Sequence, residues 1–242
     1  NHKCEGVCVR SHLDEPLAIR EIKRFIMDQE KKPQHRRKAA ARQVKIAIIG
    51  GGPCGLSTAY FLAQAGYSIS IFEAQAYPGG MVSGSIPGYR ATNAAIAQDM
   101  DIVRSLGVEF HFGQKAGHDF TLLSLQKAGF KYTVIAAGAQ KGQRLGLDGE
   151  KSEGILDGLH FLRAVREKKH LKIGPRIGVV GGGDVAMDCA RTAARLTSGT
   201  VSVIYRRTMA EMPAQREELQ GLLEEGIPIQ ELLAPKTLIL HE

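Results

Sequence analysis

The stretch that decides the fold is VKIAIIGGGPCGLSTAYFLAQAGYSISIFEA, residues 44–74. It opens with a nearly all-apolar run, 44–49, which is typical of a strand buried on both faces of a sheet. A glycine cluster follows, then a helical pattern that Gly66 ends, and then a second apolar run over 68–72. The stretch therefore predicts a strand–turn–helix–strand unit of a helix-covered parallel sheet.

The glycine cluster has the spacing of a dinucleotide-binding loop. Gly50 permits the tight turn, Gly52 lets the backbone approach a pyrophosphate, and Gly55 allows the helix to pack closely on the strand. The helix that begins near Pro53 and Cys54 would offer its first N–H groups and its dipole to the phosphates. The alternative interpretation is a glycine-rich structural turn.

An acid stands at the end of the second strand. Glu73 lies 23 residues after Gly50, where a carboxylate can accept hydrogen bonds from ribose hydroxyls, and Ala74 is part of the same candidate site. The loop follows a buried strand, opens a helix and has the acid at the expected distance. The first unit is therefore predicted to bind a dinucleotide with free ribose hydroxyls. FAD fits best, and NAD is the alternative.

The same unit returns as PRIGVVGGGDVAMDCARTAARLTSGTVSVIYRR, residues 175–207. Gly181 and Gly183 take the places of the first two glycines, and an alanine takes the third, which the pattern allows. Its second strand ends on Arg206 and Arg207 instead of an acid. Guanidinium groups bind a 2′-phosphate that an acid would repel, so we predict NADPH here. A solvated basic strand end is the alternative.

The rest of the chain alternates between helical and strand patterns. A helix over 15–30 is predicted to begin at Pro16, with Asp14 or Glu15 as its cap, and to stop before Pro33. Other helices are predicted near 92–106, 121–128, 155–169 and 215–225, and other strands at 108–112, 132–138 and 227–231.

These patterns predict an α/β fold with two Rossmann-like dinucleotide-binding domains and parallel sheets. Residues 1–43 would form an N-terminal helical segment and a basic linker, 44–145 an FAD-binding domain, and 146–242 an NADPH-binding domain, both incomplete. Much of the net charge of +7 lies in the basic run 31–42. This run lacks interleaved aromatic residues, so it favours a solvated linker over a nucleic-acid arm.

The cysteines and the apolar runs restrict the setting of the protein. Four scattered cysteines do not form a disulfide framework, so a reducing cytoplasm is predicted. No apolar run reaches the ~20 residues of a membrane span. Cys54 and Cys189 are predicted to be packing residues, and the absence of a CxxC in the second unit argues against a dithiol mechanism.

Seven stretches carry a family resemblance, in the family's order and over nearly the whole chain. They are CEGVCV (4–9), EPLAIREIKRFIMD (15–28), GGGPCGL (50–56), PGGMVSGSIPGYR (78–90), VIAAGA (134–139), GGGDVAMDCAR (181–191) and YRRTMAEMPAQREE (205–218). They resemble the small flavoprotein subunit family of NADPH-dependent glutamate synthase. Dihydropyrimidine dehydrogenase N-terminal modules and iron–sulfur oxidoreductase subunits belong to the same group.

The resemblance implies an NADPH-dependent flavin oxidoreductase. Hydride would pass from NADPH to FAD, and electrons would pass on to iron–sulfur clusters and a partner subunit. Cys4 and Cys8 would be two cluster ligands in a longer protein, with a structural remnant or a zinc site as alternatives. Implied site residues are Gly79, Gly80, Met81, Ile86 and Pro87 at the flavin, Ala137 and Gly138 at the crossing between domains, and Asp184 and Val185 at the NADPH phosphates.

The resemblance leaves the acceptor open and nominates no catalytic residue. Family members continue past the NADPH domain and return to complete the FAD site, so this chain is expected to be a fragment. The acceptor could be a glutamate synthase large subunit, or ferredoxin, a pyrimidine or an inorganic oxyanion in a related reductase. A non-catalytic nucleotide-binding protein is the alternative from another class.

Overall fold

The computed structural model describes residues 3–29 and 39–239. The chain divides into two compact units, Asn1–Arg36 and Arg37–Glu242. The first unit contains helix α1 (Lys3–Gly6), a 3₁₀ turn (Val9–His12) and helix α2 (Ile19–Asp28).

Helix α2 begins later than predicted. Its cap comes from Glu5, whose carboxylate accepts a hydrogen bond of 2.7 Å from the backbone N–H of Arg20, while Ala18 offers no side-chain cap. The prediction that Pro16 opens the helix is therefore wrong, because the capping group lies 15 positions away along the chain. The predicted stop at Pro33 lies outside the described residues. Three large apolar side chains of α2 are exposed: Ile22, Phe25 and Ile26.

The first sheet of the second unit has the strand order β3-β2-β1-β4, and its pairings are parallel. Strands β1 and β2 run in register from Lys45 opposite Ser68 to Ile49 opposite Phe72, so their carboxyl ends meet at one edge. The elements are β1 (Lys45–Ile49), α3 (Pro53–Gln64), β2 (Ser68–Glu73), α4 (Met81–Gly84), α5 (Asn93–Ser105), β3 (Glu109–Phe112), α6 (Leu122–Lys127) and β4 (Phe130–Ile135).

The second sheet has the order β5-β6-β7 and is also parallel. Its core is centred on Met187, Val203 and Leu222, which are fully buried. The elements are α7 (Gly158–Arg166), β5 (Arg176–Val180), α8 (Asp184–Ala194), β6 (Thr200–Ile204), a 3₁₀ turn (Met209–Glu211), α9 (Arg216–Glu224) and β7 (Ile229–Gln230). The two parallel sheets with covering helices confirm the predicted α/β fold class.

Several element boundaries differ from the predictions for local reasons. Strand β4 ends at Ile135, before the turn that contains Gly138 at φ +66°. Helix α7 begins at Gly158, because the side chain of Asp157 accepts a bond from the backbone N–H of His160 at 2.9 Å. Strand β7 begins after Pro228, which has no N–H to donate to a ladder.

In the part of the chain that the structure describes, no helix combines the length and the apolar character that crossing a bilayer requires.

An ion-pair cluster joins α8 to the end of α9. The Arg195 guanidinium donates to Glu225 at 2.7 and 2.8 Å, and Arg191 adds bonds of 2.8 and 3.0 Å. The hydrogen bonds from Arg195, followed by those from Arg191, lower the pKa of Glu225 to about 2. The folded state therefore holds the ionised carboxylate more strongly than the unfolded chain does.

The full pKa shift of Glu225 corresponds to about 3 kcal/mol, but water screens this partly exposed cluster. Replacing Glu225 by glutamine is therefore expected to lower the free energy of unfolding by about 2 kcal/mol at pH 7. The contribution of Glu225 is fully present above the ordinary carboxyl pKa of 4.5 and is lost as the pH falls through about 2. The difference between the two proteins should therefore narrow below pH 4.5, as measured by urea unfolding at several pH values. Glu224→Gln is the matched control, because Glu224 is exposed and accepts one bond, from Gln220. A pH-independent difference would contradict the assignment.

Candidate functional site

The first glycine loop lies at the carboxyl edge of the first sheet, between β1 and α3. Gly50 adopts φ +106°, and a Cβ there would collide with the carbonyl oxygen of Ala136. A Cβ at Gly55 would collide with the carbonyl oxygen of Gly50. Each of these positions therefore accepts only glycine, and α3 begins directly against the loop. The start of α3 at Pro53 presents its free N–H groups at this edge.

Glu73 is buried at the end of β2 and is bonded to this loop. One carboxylate oxygen accepts from the N–H of Gly51 at 2.7 Å, and the other accepts from the N–H of Gln75 at 2.8 Å. The side chain fixes the loop relative to β2. A carboxylate has about four acceptor positions, so two protein bonds leave capacity for ribose hydroxyls. Ala74 follows it directly and is exposed.

Gly79 and Gly80 lie against the first loop. The N–H of Gly79 donates to the carbonyl oxygen of Gly51 at 2.7 Å. A Cβ at Gly80, where φ is +56°, would come within 2.8 Å of the Cα of Gly52. Both glycines have positive φ, and Met81 then begins α4. This short helix was missed by the sequence patterns, because four residues do not establish a helical period.

The remaining candidate residues of 44–145 fall on two segments. Ile86 is half-buried and Pro87 is buried, just after α4. Ala137 and Gly138 are exposed in the turn after β4. Gln140 links this turn to α7. Its side chain donates to the carbonyl oxygen of Ala137 at 3.3 Å. The same side chain accepts a bond from Arg163 of α7 at 2.8 Å.

The second glycine loop repeats the first between β5 and α8. Gly181 adopts φ +140°, and Gly183 caps α8. A Cβ at Gly183 would meet nothing within 4 Å, so a ligand can approach this backbone. Gly182 differs from its counterpart, because a Cβ there would overlap the ring of Tyr205 at 2.5 Å. Gly182 therefore packs on the ring of Tyr205, whereas Gly51 of the first loop donates a hydrogen bond to Glu73.

The strand register corrects one sequence prediction. In the first sheet Ile49 pairs with Phe72, and in the second Val180 pairs with Ile204. The position after Phe72 is Glu73, so its counterpart after Ile204 is Tyr205. The arginines follow this position instead of occupying it. Arg206 and Arg207 are exposed, and neither forms a salt bridge with any carboxylate of the described residues.

Asp184 and Val185 occupy the first turn of α8. The Asp184 carboxylate accepts a bond of 2.8 Å from the backbone N–H of Gln215. It therefore holds the segment before α9 against the loop. Val185 is 45% exposed at the helix start. Of the two, only Val185 presents an exposed apolar surface beside the glycine loop.

The cysteines give mixed results. Cys189 is buried against Gly158, and burial raises its pKa to about 12, which confirms a packing role. Cys54 is exposed in the first turn of α3, so the prediction that it packs is wrong. Backbone N–H groups, first that of Leu17, lower the pKa of Cys8.

The two glycine loops fit dinucleotides, whereas the cysteine pair does not complete a cluster site. Each loop combines left-handed glycines, a helix start and a strand-end residue at the carboxyl edge of a parallel sheet. Cys4 and Cys8 have no third ligand, because the described residues contain no group of three or more metal-ligating side chains. The described residues therefore provide only part of a ligand set for an iron–sulfur cluster.

Sequence reasoning missed the residues that join the two sheets. Arg166 of α7 donates through Nε to the carbonyl oxygen of Ser83 at 3.0 Å and through Nη1 to that of Ala91 at 3.1 Å. Tyr77 donates to Glu167 at 2.9 Å. These pairs lie 75 to 90 positions apart in the chain, so no local pattern indicates them.

Two relatives are similar to this chain along its whole length. It is 37% identical over 268 residues to the NADP(+)-dependent formate dehydrogenase subunit beta of Moorella thermoacetica. It is 35% identical over 256 residues to the NADPH-Fe(3+) oxidoreductase subunit beta of Geobacter sulfurreducens. Both alignments cover 100% of this chain but only 38% and 37% of the relatives, so the chain spans less than two fifths of their length.

The fold is also found among solved structures. FprA from Mycobacterium tuberculosis in complex with NADPH aligns with a TM-score of 0.62 and 21% identity, over 76% of this chain and 48% of that one. Residues 44–233 match the family described as pyridine nucleotide-disulphide oxidoreductase. This match includes both glycine loops and both parallel sheets. The chain therefore belongs to the pyridine nucleotide-disulphide oxidoreductase family.

Proposed function

We propose that this chain is an NADPH-dependent flavin oxidoreductase module, with FAD in 44–145 and NADPH in 146–242. The observation that carries the proposal is the contrast between the two loops. Beside the first loop, β2 ends on a buried carboxylate, Glu73. Beside the second, two exposed arginines, Arg206 and Arg207, follow Tyr205 after the end of β6. Carboxylates suit free ribose hydroxyls, and guanidinium groups suit a ribose 2′-phosphate.

The chain's own groups would bind and orient the two nucleotides. Gly52 and the start of α3 would hold the FAD pyrophosphate, and Glu73 its ribose. Gly183 and the start of α8 would hold the NADPH pyrophosphate. When bound, NADPH supplies a hydride and FAD accepts it with a proton from solvent, giving NADP⁺ and FADH₂. No side chain is required as an acid or base for this transfer, so the role of the protein is orientation and exclusion of water.

We further propose that the reduced module passes its electrons to a partner subunit or domain. Two relatives are named as beta subunits, one of a formate dehydrogenase and one of an Fe(3+) oxidoreductase. The resemblance to the glutamate synthase small subunit adds a third kind of partner. Cys4 and Cys8 would then belong to an iron–sulfur centre that needs ligands from outside the described residues.

An anaerobic absorption spectrum of the chain with FAD tests the proposal. Addition of NADPH is expected to bleach the band of the bound flavin, and an equal concentration of NADH is expected to bleach it much more slowly. As a control, gel filtration removes free FAD before NADPH is added, so that any bleaching in the protein fraction comes from bound flavin. Bound FAD that NADPH does not reduce would support a non-catalytic nucleotide-binding protein, and absence of bound FAD would contradict the first site.

A further inference from the structure

A partly buried ion pair connects the segment 79–90, which follows the first glycine loop, to helix α8, which follows the second. Arg90 donates through Nη1 to both carboxylate oxygens of Asp188, at 2.7 and 2.8 Å. Its Nη2 lies 3.0 Å from Glu218 of α9. The side chain of Asp188 is only 8% exposed. The two partners are 98 positions apart, and the pair crosses from one sheet's unit to the other's.

The positions of the two partners relate them to both nucleotide sites. Arg90 follows Pro87 by three residues, at the end of the segment that starts with Gly79 and Gly80. Asp188 lies one helical turn after Asp184, on the helix whose start carries Gly183. The pair is therefore a direct connection from the flavin-side segment to the phosphate-binding helix.

The surroundings hold Arg90 in one place. Glu218 also accepts from Arg191 at 2.9 Å, so the same carboxylate bonds two arginines. The ring of Tyr89 lies under the guanidinium groups of Arg191 and Arg195, with 5.2 and 4.5 Å to the ring centre. Burial raises the pKa of Asp188, and the bonds from Arg90 oppose this effect. An ion pair of this kind contributes little to stability compared with apolar side chains in the same place, so its value to the fold is not expected to be stability alone.

We infer that Arg90 and Asp188 are positioning residues that set the NADPH-binding helix relative to the flavin-side segment for hydride transfer. The inference rests on the proposed function. Transfer requires reacting atoms about 3–3.5 Å apart, and a misplacement of about 1 Å costs on the order of a hundredfold in rate. Loss of the ion pair should leave both nucleotides able to bind, because neither Arg90 nor Asp188 lies in a glycine loop or at the end of a strand.

Arg90→Met tests the inference, because it should slow flavin reduction without weakening the binding of either nucleotide. Rapid-mixing measurements at saturating NADPH should show flavin reduction at least tenfold slower, with the dissociation constants for FAD and NADPH changed less than twofold. Arg104→Met is the matched control, because Arg104 pairs with Asp101 at 3.5 Å inside one helix of the first sheet's unit. Unchanged reduction in Arg90→Met, or an equal loss in the control, would overturn the inference.

Two further variants separate positioning from general loss of structure. Adding Asp188→Asn to Arg90→Met should slow the reaction little more than Arg90→Met alone, because the two groups act as one pair. Arg90→Lys should recover part of the rate, since it restores one charged donor. If Arg90→Met fails to fold in a thermal melt, Arg90→Lys and Asp188→Asn take its place with the same expected split.

A distance measurement separates this inference from the proposed function. One spin label is attached at Lys127→Cys, in the region of the first sheet, and the other at Gln220→Cys, in the region of the second; both positions are exposed. Cys4, Cys8 and Cys54 are replaced by alanine so that they are not labelled. Double electron–electron resonance should give a broader distance distribution in Arg90→Met than in the unaltered protein. An unchanged distribution overturns the inference and leaves the proposed function standing. Failure of NADPH to reduce the flavin of the unaltered protein overturns the proposed function itself, and the role in hydride transfer fails with it.

Discussion

Replacing both Arg206 and Arg207 by alanine is expected to weaken NADPH binding by about a hundredfold or more, while NADH binding changes less than about twofold. Each charge-assisted hydrogen bond to a phosphate is worth roughly 1.5–3 kcal/mol, and ~1.4 kcal/mol corresponds to a factor of ten. The two guanidinium groups are exposed and form no salt bridge with a described carboxylate, so they are free to bind a phosphate. Isothermal titration with each nucleotide measures the effect.

The structure offers a control on the same sheet. Arg176→Ala removes an exposed arginine from the start of β5, at the amino edge, whereas the glycine loop lies at the carboxyl edge. This variant should leave both affinities within about twofold. An equal loss of NADPH and NADH affinity in the double variant would mean that the arginines do not select the 2′-phosphate. The assignment of NADPH to the second loop would then fail.

The sequence predicted the sheets because their patterns are local. Strand β1 is an apolar run, the glycines follow it at fixed spacing, and each helix of a strand–helix–strand unit begins at the loop. These signals occupy about thirty consecutive residues, so no long-range information is needed to recognise them. The acid at Glu73 belongs to the same local pattern, and the structure places it directly against Gly51.

Other features depend on contacts that no local pattern carries. The N-terminus of α2 is capped by Glu5, and Arg90 pairs with Asp188 of α8, which packs on the second sheet. The equivalence of Tyr205 with Glu73 follows from the pairing of β5 with β6. An alignment that matches Arg206 with Glu73 is wrong by one residue. Such features are decided by packing and register, so the coordinates are needed to find them.

Gly55→Ala is expected to weaken FAD binding by at least about a hundredfold. The added Cβ would collide with the carbonyl oxygen of Gly50, which is backbone and cannot rotate away. The start of α3 must then move off the loop, and the N–H groups that would bind the pyrophosphate in the proposed site move with it. The second loop shows that the restriction is local, because Ala186 occupies the same position there without a collision.

Two measurements make this expectation specific to the first site. NADPH affinity should stay within about threefold, because the second loop belongs to the other sheet, and it also reports that the variant has folded. Gly174→Ala is the control substitution, since its Cβ would meet nothing within 4 Å and its φ is not in the left-handed region. FAD binding is followed by the quenching of flavin fluorescence. Retention of FAD by Gly55→Ala would mean that the first loop does not hold the pyrophosphate, and the placement of FAD at this edge would be wrong.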